Sequence, residues 1–218
     1  TINNHDTFEE KYYRVRAREF YAKPSINWRK NASLFSAKLI YEGLKIEKTE
    51  NRRIAIPNIV DENVFSTNYF AGIDVGFHFE NVNKKVNPSL GMKFDSKFTY
   101  RQNLNNGDKK LPTFETGLGF THYLTKNEKL TFSTYAKSKW LLSDDYEFYQ
   151  MATLGGDDDL RGFRFDRFYG KSSFYQTSDI RWSIGNFRNA FVPLKIGIFG
   201  GFDYGRVWLP NEFTKKWH

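Results

Sequence analysis

The chain has 218 residues, a length that suits one domain or part of one. It contains no cysteine, which excludes disulfide bonds and thiolate chemistry, and its mean hydropathy of −0.65 excludes a helical membrane protein. Its 33 Lys and Arg residues against 25 Asp and Glu residues give a net charge of +8, a balance that suits anionic partners without identifying one.

The dominant pattern along the chain is an alternation of apolar and polar residues with a period of two, which is typical of half-buried β-strands. Aromatic residues make up 18% of the chain, and they also favour strands. About eight strands are predicted, in chain order, at Tyr12–Ala22, Leu34–Glu47, Tyr69–Phe79, Leu90–Tyr100, Phe114–Leu124, Leu130–Leu142, Phe174–Ile184 and Leu194–Trp208. Short turns and two long loops, at about 50–66 and 143–171, separate them, and the simplest pairing is an antiparallel meander.

Two architectures could bury one apolar face on each strand. One is a soluble sandwich or barrel with an apolar core, and the other is a transmembrane barrel with its apolar face on lipid. The predicted strands run to roughly 11–15 residues, whereas strands of soluble proteins usually have about 5–6. The polar face is also heavily charged, with Arg14, Arg16, Arg18, Lys93, Asp95, Lys97, Lys137, Lys139, Asp179, Arg181 and Asp203. We therefore predict an all-β fold, a transmembrane antiparallel β-barrel.

The predicted loop before the seventh strand carries a motif, GGDDDLRGFRF, beginning at residue 155. Its residues Gly155, Gly156, Leu160, Arg161, Gly162 and Phe163 resemble the signature loop of the BamA-like superfamily of outer-membrane assembly and translocation barrels, the bacterial surface antigen family. Two strand motifs follow in the family's order: SDIRW with Asp179 and Arg181, and FDYGRVW with Phe202, Asp203 and Gly205. Three ordered motifs are more specific than one short motif.

The resemblance implies a barrel of sixteen strands, of which residues 1–218 would supply about eight consecutive ones as part of one barrel domain. Periplasmic repeat domains and the final strands would lie outside this sequence, and since the chain begins with Thr1 rather than Met, we expect it to come from a longer protein. The loop at about 143–171 would fold into the lumen, with Asp179, Arg181, Phe202, Asp203 and Gly205 as its strand partners. Gly162, Gly201 and Gly205 would allow close backbone approach.

The same resemblance implies a function in the bacterial outer membrane, either insertion of outer-membrane proteins or export of polypeptides. The expected partners are outer-membrane lipids, unfolded outer-membrane or secreted proteins, and accessory lipoproteins, and no nucleic acid. We expect no catalytic residues, no metal and no cofactor. The three consecutive aspartates Asp157–Asp159 lack the spacing of a calcium loop and are predicted to be solvated.

Three other functions stay open at this point. A passive outer-membrane pore is possible because eight strands can close a barrel, and pairing of the first strand with the last would favour it. The chain could also anchor a fused periplasmic enzyme of phosphoesterase or patatin type. An enzymatic barrel would need a histidine beside a serine or carboxylate, and His5, His78, His122 and His218 show no such partner at an informative spacing.

Overall fold

A computed structural model describes residues 15–57, 60, 62–188, 193–210 and 217–218. The strands, numbered in chain order, are β1 Arg16–Ala22, β2 Ser25–Lys30, β3 Ser33–Glu47, β4 Thr67–Val82, β5 Gly91–Asn103, β6 Lys110–Tyr123, β7 Leu130–Leu141, β8 Ala152–Leu154, β9 Phe168–Gly170, β10 Ser172–Arg188 and β11 Pro193–Trp208. Three 3₁₀ turns occur at Arg53–Ala55, Glu62–Phe65 and Phe148–Gln150. Within the described ranges, no helix has the length and apolar character needed to cross a membrane.

Strands β1 and β2 together form one interrupted strand. Both pair with β3, β1 with its second half and β2 with its first half. The break falls at Lys23 and Pro24, where proline has no N–H to donate, and the Pro24 carbonyl instead accepts a hydrogen bond from the Leu39 N–H at 3.1 Å. Strand β2 was not among the predicted strands. Tyr12 to Arg14, which were predicted to begin the first strand, lie outside the described residues.

The main sheet is an antiparallel meander with the order β1-β3-β4-β5-β6-β7-β10-β11. With β1 and β2 counted as one, it has the eight strands that the alternation predicts, so the fold class is confirmed. In the described part of the chain β1 and β11 do not pair with each other, and the sheet stays open. These strands therefore form a wall section and not a complete eight-strand barrel.

The two faces of the sheet differ sharply. The apolar face carries large side chains that nothing in the described structure covers, among them Phe35, Leu39, Ile73, Val75, Leu118, Phe120, Ile180, Ile198 and Phe202. Leu39 is 63% exposed, although a soluble sandwich would bury such a residue in its core. Charged residues in the middle of β4 to β7, β10 and β11 lie at the alternate positions, on what we call the polar face, among them Asp74, Lys93, Lys97, Glu115, Lys137, Asp179 and Asp203. Lipid on the apolar face accounts for this arrangement. Arg16 and Arg18 were predicted on the polar face, and that prediction is wrong, because Arg18 stands opposite Lys45 and pairs with Glu47, in the same register as Leu39 and Tyr41 of the apolar face.

Aromatic side chains stack across neighbouring strands on the apolar face. Trp28 packs on Phe35 and Phe35 on Phe77, with ring centroids 5.4 and 4.8 Å apart. Tyr41 and Tyr69 stack nearer the other end of the sheet, with centroids 6.3 Å apart. Such rows of aromatic rings are typical of the interfacial girdles of outer-membrane barrels.

The connections between strands are long at one end of the sheet and mostly short at the other. At the loop end, residues 48–66 join β3 to β4, and residues 142–171, the long connection, join β7 to β10. The two connections share an apolar cluster in which Ile54 and Val64 pack with Phe148 and Tyr149. Strands β8 and β9 form a small hairpin within the long connection. At the turn end, residues 83–90 and 124–129 form the connections from β4 to β5 and from β6 to β7.

The chain continues the sheet beyond β11 at one point. The N–H groups of Gly205 and His218 each donate to the other's carbonyl, at 3.0 and 2.9 Å. Trp217 packs edge-on against Phe174 and Trp208. The loop end of β11 thus has backbone partners on both of its sides.

Candidate functional site

The Arg161 side chain contacts two carboxylates on the polar face. Its Nε donates to Asp203 Oδ2 at 2.7 Å and its Nη2 to Asp203 Oδ1 at 2.5 Å. The same Nη2 donates to Asp179 Oδ1 at 2.9 Å. The guanidinium fork matches a carboxylate in this two-point geometry, and the hydrogen bonds to Asp203 and then Asp179 raise the pKa of Arg161 above its usual value. The long connection is thereby joined to β10 and β11.

Gly201 makes room for this contact. It lies directly opposite Asp179 in the register of β10 and β11. A Cβ at position 201 would stand 2.3 Å from Asp179 Oδ1 and 2.6 Å from Arg161 Nη2, closer than real Cβ contacts come. Gly162 was expected to serve the same purpose, and that expectation is wrong, because a Cβ there would meet nothing within 4 Å. At Gly205 a Cβ would stand 3.2 Å from Leu154 Cδ1 of the β8–β9 hairpin.

The backbone around Gly155 and Gly156 sets the path of the chain toward Arg161. Their φ angles of +117° and +126° belong to conformations that residues with a side chain rarely adopt. Asp159 Oδ1 accepts hydrogen bonds from the N–H groups of Gly155, at 2.7 Å, and Leu160, at 2.5 Å. All three aspartates were predicted to be solvated. For Asp159 that prediction is wrong, because its side chain is part of the loop framework. The Leu160 side chain is buried.

Three further residues of the predicted site lie in different surroundings. Phe163 packs edge-on against Phe168, with centroids 5.1 Å apart. Arg181 was expected to contact the long connection, but its Nη2 donates to the Pro88 carbonyl oxygen, 2.7 Å away, at the turn end. Phe202 was also expected beside the loop, yet its even position places it on the apolar face, where it is exposed. Strand alternation decides the Phe202 result, because Phe202 and Asp203 must point to opposite faces.

The Arg181 contact is part of a network at the turn end of the sheet. The turn 83–90 leans toward the neighbouring turn, where Glu128 pairs with the Lys84 ammonium and accepts from Ser89 Oγ at 2.7 Å. These two hydrogen bonds lower the pKa of the Glu128 carboxyl. Strands β6 and β7 stand between β5 and β10 in the sheet, a gap of about 14 Å at the usual strand spacing. The turn is therefore held across the polar side of the wall.

The pairing of His78 with Asp95 was missed in the sequence. His78 Nδ1 lies 2.7 Å from Asp95 Oδ1, and the Tyr135 hydroxyl donates to Asp95 Oδ2 at 3.0 Å. His78 and Asp95 are direct cross-strand neighbours. The contact could have been predicted only from the exact register between β4 and β5, which the alternation pattern does not determine. Across the described ranges no hydroxyl group hydrogen-bonds to His78, and no cluster of three or more His, Asp or Glu residues could hold a metal.

Comparison with known proteins identifies the family. The sequence model of the haemolysin secretion/activation protein family, ShlB/FhaC/HecB, matches residues 67–216. Among solved structures, the chain is similar to BamA from Haemophilus ducreyi lacking POTRA domains 1–3, with a TM-score of 0.65 and 14% identity. The match covers 89% of this chain and 42% of that one, so the chain spans less than half of the BamA structure. A search of curated proteins finds no match.

The resemblance to the BamA-like superfamily is thus confirmed at the level of family and fold. The polar face corresponds to the lumen side of such a barrel and the apolar face to its lipid side. Members of this family are outer-membrane barrels of Gram-negative bacteria that act on polypeptides in assembly or secretion. The chain belongs to the ShlB/FhaC/HecB family of haemolysin secretion/activation proteins and is part of an outer-membrane β-barrel.

Proposed function

We propose that the protein exports a polypeptide across the outer membrane through the barrel of which these strands form a wall. The observation that carries the proposal is the family match over residues 67–216, because the family is described by secretion. The charged polar face supports it, since an unfolded chain in transit needs an aqueous path for its backbone groups. The apolar face would contact outer-membrane lipids, and no covalent chemistry is required of the chain.

In this proposal the Arg161 contacts hold the long connection inside the barrel. One guanidinium joins three segments: the connection itself, β10 through Asp179, and β11 through Asp203. Such a charge-assisted tie is stronger than a neutral hydrogen bond. It would keep the connection at a fixed place beside the path of the client.

Deleting the gene in its Gram-negative host and quantifying proteins by mass spectrometry tests the proposal. Loss of one or a few proteins from the culture medium, with the other outer-membrane barrels unchanged, is the expected result. A general decrease in outer-membrane barrels would instead indicate insertion of membrane proteins. An unchanged medium and membrane would contradict both and favour a passive pore or an anchor for a fused enzyme.

The role of the long connection is tested in the same host with two arginine variants. Arg161→Ala in the full-length protein is expected to reduce export, whereas Arg164→Ala should leave it intact. Arg164 is an exposed arginine of the same loop, and its guanidinium forms no hydrogen bond or ion pair in the described structure. Equal export by both variants, at matched levels in the membrane, would exclude the proposed role of Arg161.

A further inference from the structure

A cavity of about 330 Å³ opens on the polar face between β3 and β7. Its volume is within the range of sites that bind small groups. The lining includes four lysines, Lys38, Lys93, Lys97 and Lys137, and three carboxylates, Asp74, Asp95 and Glu115. We call it the cationic cavity, because its ammonium groups outnumber its carboxylates.

The excess positive charge is concentrated around Glu115. Lys97 Nζ lies 2.9 Å from one carboxylate oxygen of Glu115, and Lys137 Nζ lies 3.0 Å from the other. Two ammonium groups thus share one carboxylate. Lys139 stands directly opposite Glu115 in the register of β6 and β7, and its ammonium forms no ion pair in the described structure.

The remaining carboxylates do little to neutralise the other lysines, since within the described residues Asp74 forms no ion pair with Lys38, its cross-strand neighbour. Asp95 already binds His78 and the Tyr135 hydroxyl, and it lies 3.7 Å from Lys93 Nζ. The Lys38 ammonium has no hydrogen bond or ion pair in the part of the chain that the structure describes. The cavity therefore offers cations whose charge is incompletely matched, in partly buried positions where screening by water is reduced.

The position of the cavity limits which anions can reach it. It lies in the middle of the strands on the polar face, opposite the face that carries the exposed aliphatic and aromatic residues. Lipid headgroups lie at the strand ends on the apolar side, so they do not reach it. A polypeptide in transit through the barrel would meet the polar face, on which the cavity opens.

We propose that the cationic cavity is a binding subsite for carboxylate side chains of the transported polypeptide, with Lys97 and Lys137 as its principal contacts. This inference rests on the proposed export function. An arriving carboxylate would exchange with Glu115 for the two ammonium groups, so Lys97 and Lys137 keep a carboxylate partner throughout. Such an exchange gives weak and reversible binding, which suits a chain that must move on.

The test uses the full-length protein in detergent micelles and a fluorescent, unstructured peptide of alternating Glu and Ser, with a Gln and Ser peptide as the neutral probe. Anisotropy should show tighter binding of the acidic peptide. Lys97→Gln together with Lys137→Gln should weaken that binding about threefold to tenfold, as expected for two partly exposed ion pairs. Lys97→Arg with Lys137→Arg should retain it.

Two controls separate the cavity from general charge and from misfolding. Lys85→Gln with Lys126→Gln removes the same charge from two exposed lysines at the turn end and should leave binding unchanged. Glu115→Gln should tighten binding, because it removes the competing carboxylate, and a misfolded protein would not produce that gain.

Unchanged binding in the Lys97 and Lys137 double variant, or an equal loss in the Lys85 and Lys126 control, would overturn the subsite. The binding measurement requires no transport, so its result is independent of the gene-deletion experiment. Loss of the subsite with normal export would leave the proposed function standing. Specific binding of the acidic peptide, with no exported protein found in the gene-deletion experiment, would contradict the proposed export function but not the binding site.

Discussion

Arg161 and Asp203 are 42 residues apart, yet Nε and Nη2 of the arginine bind both oxygens of the aspartate. Asp203 is nearly enclosed, with 12% of its side chain exposed, while Arg161 keeps 35% of its own. The pair therefore lies between a surface ion pair and a buried one, and solvent screening reduces its strength. It fastens an irregular segment of the chain to a regular strand.

We expect this pair to be strongly coupled. Arg161→Ala and Asp203→Asn should each destabilise the barrel, and the double variant should cost about 1–2 kcal/mol less than the sum of the two, within the usual range for partners in contact. The measurement is thermal unfolding of the full-length wild-type protein, the two single variants and the double variant, followed by the change in gel mobility on heating. Costs that simply add would rule out a direct pair. Arg161→Lys should restore little, since an ammonium lacks the planar fork whose Nε and Nη2 reach Asp203 and Asp179 together.

Gly201 offers a second test with a control at the adjacent residue. Gly201→Ala places a methyl group against Asp179 and Arg161 and should destabilise the folded protein by about 1–3 kcal/mol, the usual effect of overpacking. Gly200→Ala should have little effect, because its Cβ would meet nothing within 4 Å. Thermal unfolding of the two variants provides the comparison. The idea fails if both substitutions cost the same.

Arg181 should hold the turn 83–90 in place. Arg181→Met removes the hydrogen bond to the Pro88 carbonyl while keeping most of the side-chain volume, so the turn should open more often. Because a hydrogen bond from a charged donor contributes about 1.5–3 kcal/mol, trypsin cleavage after Lys84 or Lys85 should accelerate about fivefold or more. Mass spectrometry of the fragments identifies the site. Arg29→Met, at an exposed position on β2, is the control and should not change the rate.

The turn 83–90 is also held by the contacts of Glu128 with Lys84 and Ser89, and these contacts should depend on pH. The Glu128 pKa is lowered in the folded protein, first by Lys84 and then by Ser89, from a usual value of 4.5. A lowered folded pKa means that the stabilisation is complete above the unfolded pKa and disappears as the pH falls through the folded pKa. The contact should therefore persist at pH 5 and be lost in more acidic solution.

Amide hydrogen exchange of residues 83–90, corrected for the intrinsic effect of pH, measures this change. Glu128→Gln should show the same exchange at pH 5 and in acid, because the amide does not titrate. A turn in the wild-type protein that exchanges equally at both pH values would contradict the role of Glu128.

The fold was largely predictable because the signal is local. Alternation over 12 or more residues fixes both the strand and the face of each side chain, as for β5, where Lys93, Asp95 and Lys97 share the polar face. Strand β2 was not predicted because it is short, follows Pro24 and has only Ile26 and Trp28 as apolar residues. The β8–β9 hairpin has three residues on each side, too few for a period to be recognised.

Side-chain contacts were predictable only where the resemblance supplied them. The placement of Arg161 near Asp203 and Asp179 is of this kind. The Arg181 contact with Pro88 joins residues 93 positions apart across the polar side, and nothing in either local sequence indicates the other. His78 and Asp95 meet because of the exact register between β4 and β5, and a shift of one residue would have placed them on opposite faces.

The reciprocal hydrogen bonds between Gly205 and His218 bear on how the wall is extended past β11. One pair of residues is already in register there, so the entropic cost of bringing two strands together is met at the loop end before any other pair forms. Each later pair then adds to an aligned neighbour. Any strand that adds to this edge of β11 would therefore meet an alignment that the Gly205 and His218 pair has already set at the loop end.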